Sequence, residues 1–151
     1  MTLRHATSDD IPAIMVIERQ PGYEALVGQW SAGQHRQHIA DPAFLYLVAE
    51  DEATRITAFA ALHRSADGLL LNRFIVKTAG LGLGRSLLPQ VLDISAPAGT
   101  GQRVWLRVAA HNARAIGLYR SFGFEEEDRL PAAGTLPNGQ VSDLVVMACT
   151  R

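Results

Sequence analysis

The chain has a single cysteine, Cys149, and a single lysine, Lys77, among its 151 residues. One cysteine excludes an internal disulfide, and its place in the apolar run 144–149 reads as a small buried hydrophobe rather than a nucleophile. Excess positive charge is also missing. Fourteen Lys and Arg against fifteen Asp and Glu leave a formal charge of −1, so no counterion release draws the chain to nucleic acid or to an anionic membrane. No apolar run approaches the ~20 residues of a membrane helix, and Met1-Thr2-Leu3-Arg4-His5 lacks the apolar core of a signal peptide. A soluble cytoplasmic protein is expected. No metal is expected either: His35 and His38, at i and i+3, make half a site without a third ligand, and His5 and His111 add nothing to it.

What is present is 48% hydrophobic residues, enough to bury one core, so residues 1–151 read as one domain. Leu3 and Arg4 alternate into a short strand. Thr7-Ser8-Asp9-Asp10 then supplies cap residues for a helix with Pro12 in its first turn, carried by Ile11, Ile14, Met15 and Ile17 and stopped at Pro21-Gly22. A second helix is predicted over 31–40. Apolar runs 44–49 and 56–62 read as paired strands across Asp51-Glu52-Ala53-Thr54, and Asp67-Gly68 turns the chain into a third, 69–76. Leu83, Leu87, Leu88, Val91 and Leu92 open a helix inside a glycine run, with Pro89 as a kink. Residues 104–108 form a strand reached by crossover, hence parallel to 69–76. Asn112 caps a helix to about Ser121, Phe124 begins a strand, 125–141 reads as loop, and 143–149 closes the fold. The class is α+β.

Two stretches carry chemistry. The run Gly80-Leu81-Gly82-Leu83-Gly84-Arg85 joins a strand to a helix, so unpaired backbone N–H groups and the positive end of the helix dipole face outward together. Such a turn favours a diphosphate; a turn used only for close helix–sheet packing has the same composition. No Gly-Lys-Ser/Thr follows, which excludes a Walker loop, and the spacing does not suit a dinucleotide fingerprint. The second stretch runs from Trp105 to Phe124, with Asn112 and Tyr119 seven apart on one helix face. Taken alone, Tyr119 reads first as a core aromatic beside Ile116 and Phe122.

Together these stretches resemble the GCN5-related N-acetyltransferase (GNAT) superfamily: a strand ending at Val76, the turn Gly80–Arg85, Asn112 followed by Tyr119, and the ending Phe122-Gly123-Phe124. The resemblance implies a mixed, mostly antiparallel sheet splayed between its fourth and fifth strands and flanked by about four helices. It implies acetyl-CoA as cosubstrate, with the pantetheine arm beside Phe74, Ile75 and Val76. The pyrophosphate would rest on Leu81, Gly82, Leu83, Gly84 and Arg85, with Asn112 facing the pantetheine region. Tyr119 would protonate the departing thiolate, which a phenol of pKa ~10 can do without a large shift. One departure is Ala79, which stands where the family pattern has Arg or Gln; its loss throws the diphosphate grip onto backbone amides and Arg85.

The base and the acceptor are less defined. Strand 69–76 has no carboxylate, leaving Glu18, Glu24, His63 or a water chain; Glu18 reads as a solvated helix position and His63 as a surface histidine. The acceptor is a small amine or a peptide N-terminus, met by residues 21–40 and 125–141. The acidic Glu125-Glu126-Glu127-Asp128 could attract a cation but reads first as a solvated loop. Rival readings are a non-catalytic acyl-CoA-binding module of the same fold and a regulatory domain for another nucleotide. Edge strands and an apolar C-terminal strand permit a homodimer.

Overall fold

A computed structural model describes residues 1–151. Seven strands form one sheet in the order β1-β2-β3-β4-β5-β7-β6. The first four, β1 (Thr2–His5), β2 (Phe44–Glu50), β3 (Ile56–Ser65) and β4 (Gly68–Val76), are antiparallel neighbours. β5 (Arg103–Ala109) then lies parallel to β4, and β7 (Val141–Thr150) runs antiparallel between β5 and β6 (Glu125–Thr135). Four helices flank the sheet: α1 (Ile11–Glu18), α2 (Ala32–Ala40), α3 (Leu83–Ser95) and α4 (Ala113–Ser121).

Local sequence accounts for the helix starts. Ser31 caps α2, accepting from the Gln34 amide while the Gln34 side chain returns to the Ser31 amide. Asn112 caps α4 by accepting from the Ala115 amide. Pro12 sits in the first turn of α1 as expected. α3 runs through Pro89 unbroken, although that proline has no N–H for the Arg85 carbonyl.

Apolar side chains alternate across the sheet and bury both faces. α3 and α4 cover Leu47, Ala60, Leu62, Leu71, Val104, Leu106 and Val108 through Leu88, Val91, Leu92 and Tyr119. α1 packs Ile14 and Ile17 on Tyr46, Val48, Phe59, Ala61 and Ile75 on the other face. Leu88 and Leu92 are essentially inaccessible, so truncating either to Ala would cost about 2–5 kcal/mol.

The feature that shapes the site is the parting of β4 and β5. They pair only at Leu69 with Val104 and Leu70 with Trp105, then diverge. The register of β4 against β3 slips between Leu71 and Arg73, which makes Asn72 a bulge residue and bends β4 away.

One expectation is corrected. Residues 125–141 are not loop-rich: 125–135 is the long strand β6, on the sheet edge. Lacking apolar alternation, its exposed Glu-Glu-Glu-Asp run gives no strand signal. The C-terminal strand is interior, between β5 and β6, so the two edges are β1 and β6. No helix is long and apolar enough to cross a membrane.

Candidate active site

The wedge between β4 and β5 opens into two confluent cavities. The larger, about 600 Å³, lies between the end of β4, the glycine turn and α4. Of the residues the family resemblance points to, Phe74, Ile75, Val76, Gly82, Leu83, Gly84, Arg85, Asn112 and Tyr119 all line it. Leu81 does not: its side chain is 69% exposed.

Each end of this cleft has a defined polarity. The Lys77 amide bonds to Thr57 O on β3, so by the alternation of an antiparallel ladder Phe74 and Val76 turn their backbone groups outward, toward the gap. Ile75 turns its own toward β3 and offers the cleft its side chain. At the other end, Gly80 and Gly82 take φ of 85° and 74°, a region closed to most side chains. Gly82 is the residue before α3, has no side-chain cap, and its carbonyl accepts the first helical bond from Ser86. The amides of Leu83, Gly84 and Arg85 thus lack intrahelical partners and point at the cleft. Gly84 serves differently: a Cβ there would stand 3.1 Å from Leu118 Cδ2, so glycine lets α3 approach α4 closely.

Arg114 was not singled out from sequence. It lines the cleft and its Nη1 lies 3.5 Å from where a Gly80 Cβ would project, so its charge covers the turn that Ala79 leaves bare. The only hint was an arginine two residues into a helix capped by Asn112.

Tyr119 stands where the two cavities meet and lines both. It is nearly buried, with Phe124 at 5.7 Å between ring centroids, and burial alone pushes its phenol well above the ordinary value. The hydroxyl therefore stays protonated, and is a weaker acid than the unshifted phenol expected from sequence. Asn112 also borders both cavities, with its side-chain oxygen committed to the α4 cap.

The smaller cavity, about 260 Å³, reaches further up the wedge past Asn72, Arg73 and Arg107. The segment between α1 and α2 closes it as a strap tied to both banks. The Tyr23 hydroxyl donates to Val76 O on β4 at 2.6 Å, and His111 Nε2, just beyond β5, donates to Ala25 O at 2.6 Å. Burial raises the Tyr23 phenol as well.

Neither cavity wall carries a carboxylate or a histidine. Glu18 is fully buried rather than solvated: one oxygen meets His35 Nε2 at 2.6 Å and Arg19 Nη1 at 3.0 Å, the other the Trp30 amide at 3.1 Å. His35 is inaccessible too, its other nitrogen 3.0 Å from the Tyr46 hydroxyl. This network ties α1, α2 and β2 together behind Trp30, on whose ring Arg73 of the smaller cavity lies. His63 is partly buried against Phe44, and the acidic run on β6 is engaged by Arg103 on Glu127 and Arg120 on Glu126. Cys149 is half-buried against the core, where burial raises its thiol pKa. No three-residue cluster with metal-ligating geometry occurs.

The cleft thus joins a helix start with unpaired amides, a strand whose backbone groups face the gap, and a phenol at the junction of two cavities. The chain belongs to the acetyltransferase (GNAT) family, whose model matches residues 11–124. It is 30% identical over 102 residues to the spermidine N(1)-acetyltransferase of Vibrio cholerae, a match covering 64% of this chain and 58% of that protein, little more than half of the relative's length. The crystal structure of the ribosomal-protein-S18-alanine N-acetyltransferase from Escherichia coli superposes with a TM-score of 0.81 at 26% identity, covering 99% of this chain and 92% of that one. The spermidine N-acetyltransferase from Vibrio cholerae in complex with CoA and spermine gives 0.82 at 23% identity over 99% and 94%, which shows the shared fold.

Proposed function

We propose that this domain, residues 1–151, transfers acetyl from acetyl-CoA to a primary amine in one direct step, with Tyr119 as proton donor to the departing CoA thiolate. The observation that carries the reading is the position of Tyr119: it borders both cavities, and no hydrogen bond within the chain contributes to its pKa.

The residues divide the work. The amides of Leu83, Gly84 and Arg85, with Arg85 and Arg114, hold the diphosphate. The outward groups of Phe74 and the amide of Val76, whose carbonyl Tyr23 already engages, pair with the pantetheine amides as a neighbouring strand would. Acetyl-CoA then supplies an activated thioester at the confluence. A neutral amine entering from the smaller cavity attacks the thioester carbonyl, the carbon–sulfur bond breaks, and the sulfur takes the Tyr119 proton. The amine's surplus proton leaves through water, because the walls offer no carboxylate or histidine, and water returns a proton to Tyr119 to restore the phenol. Asn112 holds the start of α4, and so Tyr119, at the junction.

Relatives name two acceptor classes, spermidine and a ribosomal protein alanine. Mixing the protein with acetyl-CoA and a panel of amines, and following free thiol with a chromogenic disulfide, tests the activity. Amine-dependent thiol release is expected. Binding of CoA without release for any amine would leave a non-catalytic acyl-CoA module.

A further inference from the structure

The charged side chains in the walls of the smaller cavity are all positive. Its charged lining residues are Arg73 and Arg107, with no carboxylate among the remaining side chains. Arg73 is largely enclosed: its Nη1 donates to Asn72 O at 2.9 Å, and its guanidinium carbon lies 4.0 Å from the centre of the Trp30 ring. Its Nε is buried without a partner. The nearest carboxylate, Glu18, makes no ion pair with it, having both oxygens occupied by His35, Arg19 and the Trp30 amide.

Arg107 projects from the facing strand on the same side of the sheet. It lies 5.6 Å from the centre of the Trp105 ring, and Trp105 Nε1 is a second buried donor without an acceptor. Burial is the main cause that lowers the Arg73 pKa; the Glu18 carboxylate opposes it, and Arg107 adds to it. A buried donor without an acceptor is unfavourable by itself, and arginine cannot escape by losing its proton. Trp105 does not reach the cavity wall, but the unpartnered Arg73 Nε does, and with Arg107 opposite it points to an acceptor that the ligand brings.

We infer that the acceptor amine carries an acidic group, a carboxylate or a phosphonate, that docks between Arg73 and Arg107 while its nitrogen points to the Tyr119 junction. The inference rests on the acetyl-transfer reading for the fate of the nitrogen, but the anion site stands on the two arginines alone. A volume of about 260 Å³ has room for a group the size of a free amino acid. A polycation such as spermidine would meet two positive charges there and no negative one.

The test pairs acids with their uncharged counterparts. Acetylation of L-methionine, L-methioninamide, the matching 1-aminoalkylphosphonate and spermidine is followed by thiol release. The acid is expected to exceed its amide in kcat/KM by about 10-fold or more, as one charged hydrogen bond implies. The carboxylate and phosphonate arms decide which anion fits better. Arg107→Gln, at an exposed position that spares the fold, lowers kcat/KM for the acid about 10- to 100-fold and brings the acid-to-amide ratio toward one. Arg73→Lys, which keeps charge but loses the planar fork, gives an intermediate ratio. Calorimetry with N-acetylmethionine and its amide reads the site without turnover. If the acid binds and no amine is acetylated, the anion site stands and the transfer reading falls. If methioninamide or spermidine is preferred, or Arg107→Gln leaves the ratio unchanged, the inference is overturned.

Discussion

The Arg73 guanidinium is clamped between the Trp30 ring, 4.0 Å away, and Gly28, where a Cβ would stand 2.7 Å from its Nη2. Glycine at 28 is a matter of space, since its φ lies outside the left-handed region. Gly28→Ala therefore pushes the flexible end of Arg73 off the tryptophan without straining the backbone. The expected result is an unfolding free energy within about 1 kcal/mol of wild type. Acceptor KM should rise about 2- to 5-fold, the equivalent of one exposed cation–π contact. Unchanged acceptor kinetics across the amine panel would show that Arg73 does not meet the acceptor.

Tyr119→Phe keeps the packing against Phe124 and removes only the hydroxyl. Loss of a general acid lowers kcat by about 100-fold or more, while CoA affinity by calorimetry stays near wild type. Because burial raises the phenol pKa, the protonated, donating form persists through neutral and mildly alkaline pH. Wild-type kcat therefore has no falling limb from Tyr119 below pH ~10. A variant with full activity would remove the proton-donor role.

Arg114→Ala tests the side-chain part of the diphosphate grip. The KM for acetyl-CoA should rise about 3- to 5-fold, as expected for a partly screened charge contact. Acetyl-pantetheine, which has no diphosphate, should respond equally in both proteins. A rise with both donors would mean that Arg114 acts on α4 rather than on phosphate.

Much of this site was legible because it rests on local rules. A strand ending at Val76, glycines at 80 and 82, and a cap at Asn112 declare themselves by spacing, and the structure sets the turn, α3 and α4 where those signals predict. What escaped is what depends on partners distant in sequence. Glu18 has a surface helix residue's identity but meets His35, seventeen residues on, in the core. Arg73 and Arg107 sit in separate strands and become one charge cluster only because the Asn72 bulge parts β4 from β5. Strand β6 hid behind charges that suit an exposed edge, where pairing with β7 rather than burial decides the conformation.

Glu18 also separates structure from catalysis. Removing it leaves a buried histidine, the Trp30 amide and Arg19 without their acceptor. Glu18→Ala should destabilise the protein by about 3–5 kcal/mol, the usual effect of breaking a buried charged network from one side. Below its lowered Tm the variant should keep most of its kcat, with an unaltered pH profile. Loss of an ionisation from the kcat/KM profile at unchanged stability would instead make Glu18 the base.

Acid stability should depend on Asp10. Arg4 holds it in a two-pronged pair, Nη1 to Oδ2 at 2.8 Å and Nη2 to Oδ1 at 2.9 Å, while the Thr7 amide donates to Oδ2 at 2.8 Å. These contacts, the Arg4 hydrogen bond first, hold the carboxyl below its ordinary value. A depressed carboxyl stabilises the fold at pH above its unfolded value, and that contribution is lost as pH falls through the folded value. The window therefore lies below about pH 4. Tm measured from pH 5 to 2 should fall in the wild type. In Asp10→Asn it should start lower and fall less, since an amide cannot titrate. Parallel curves for the two proteins would show that other carboxylates govern the acid limb.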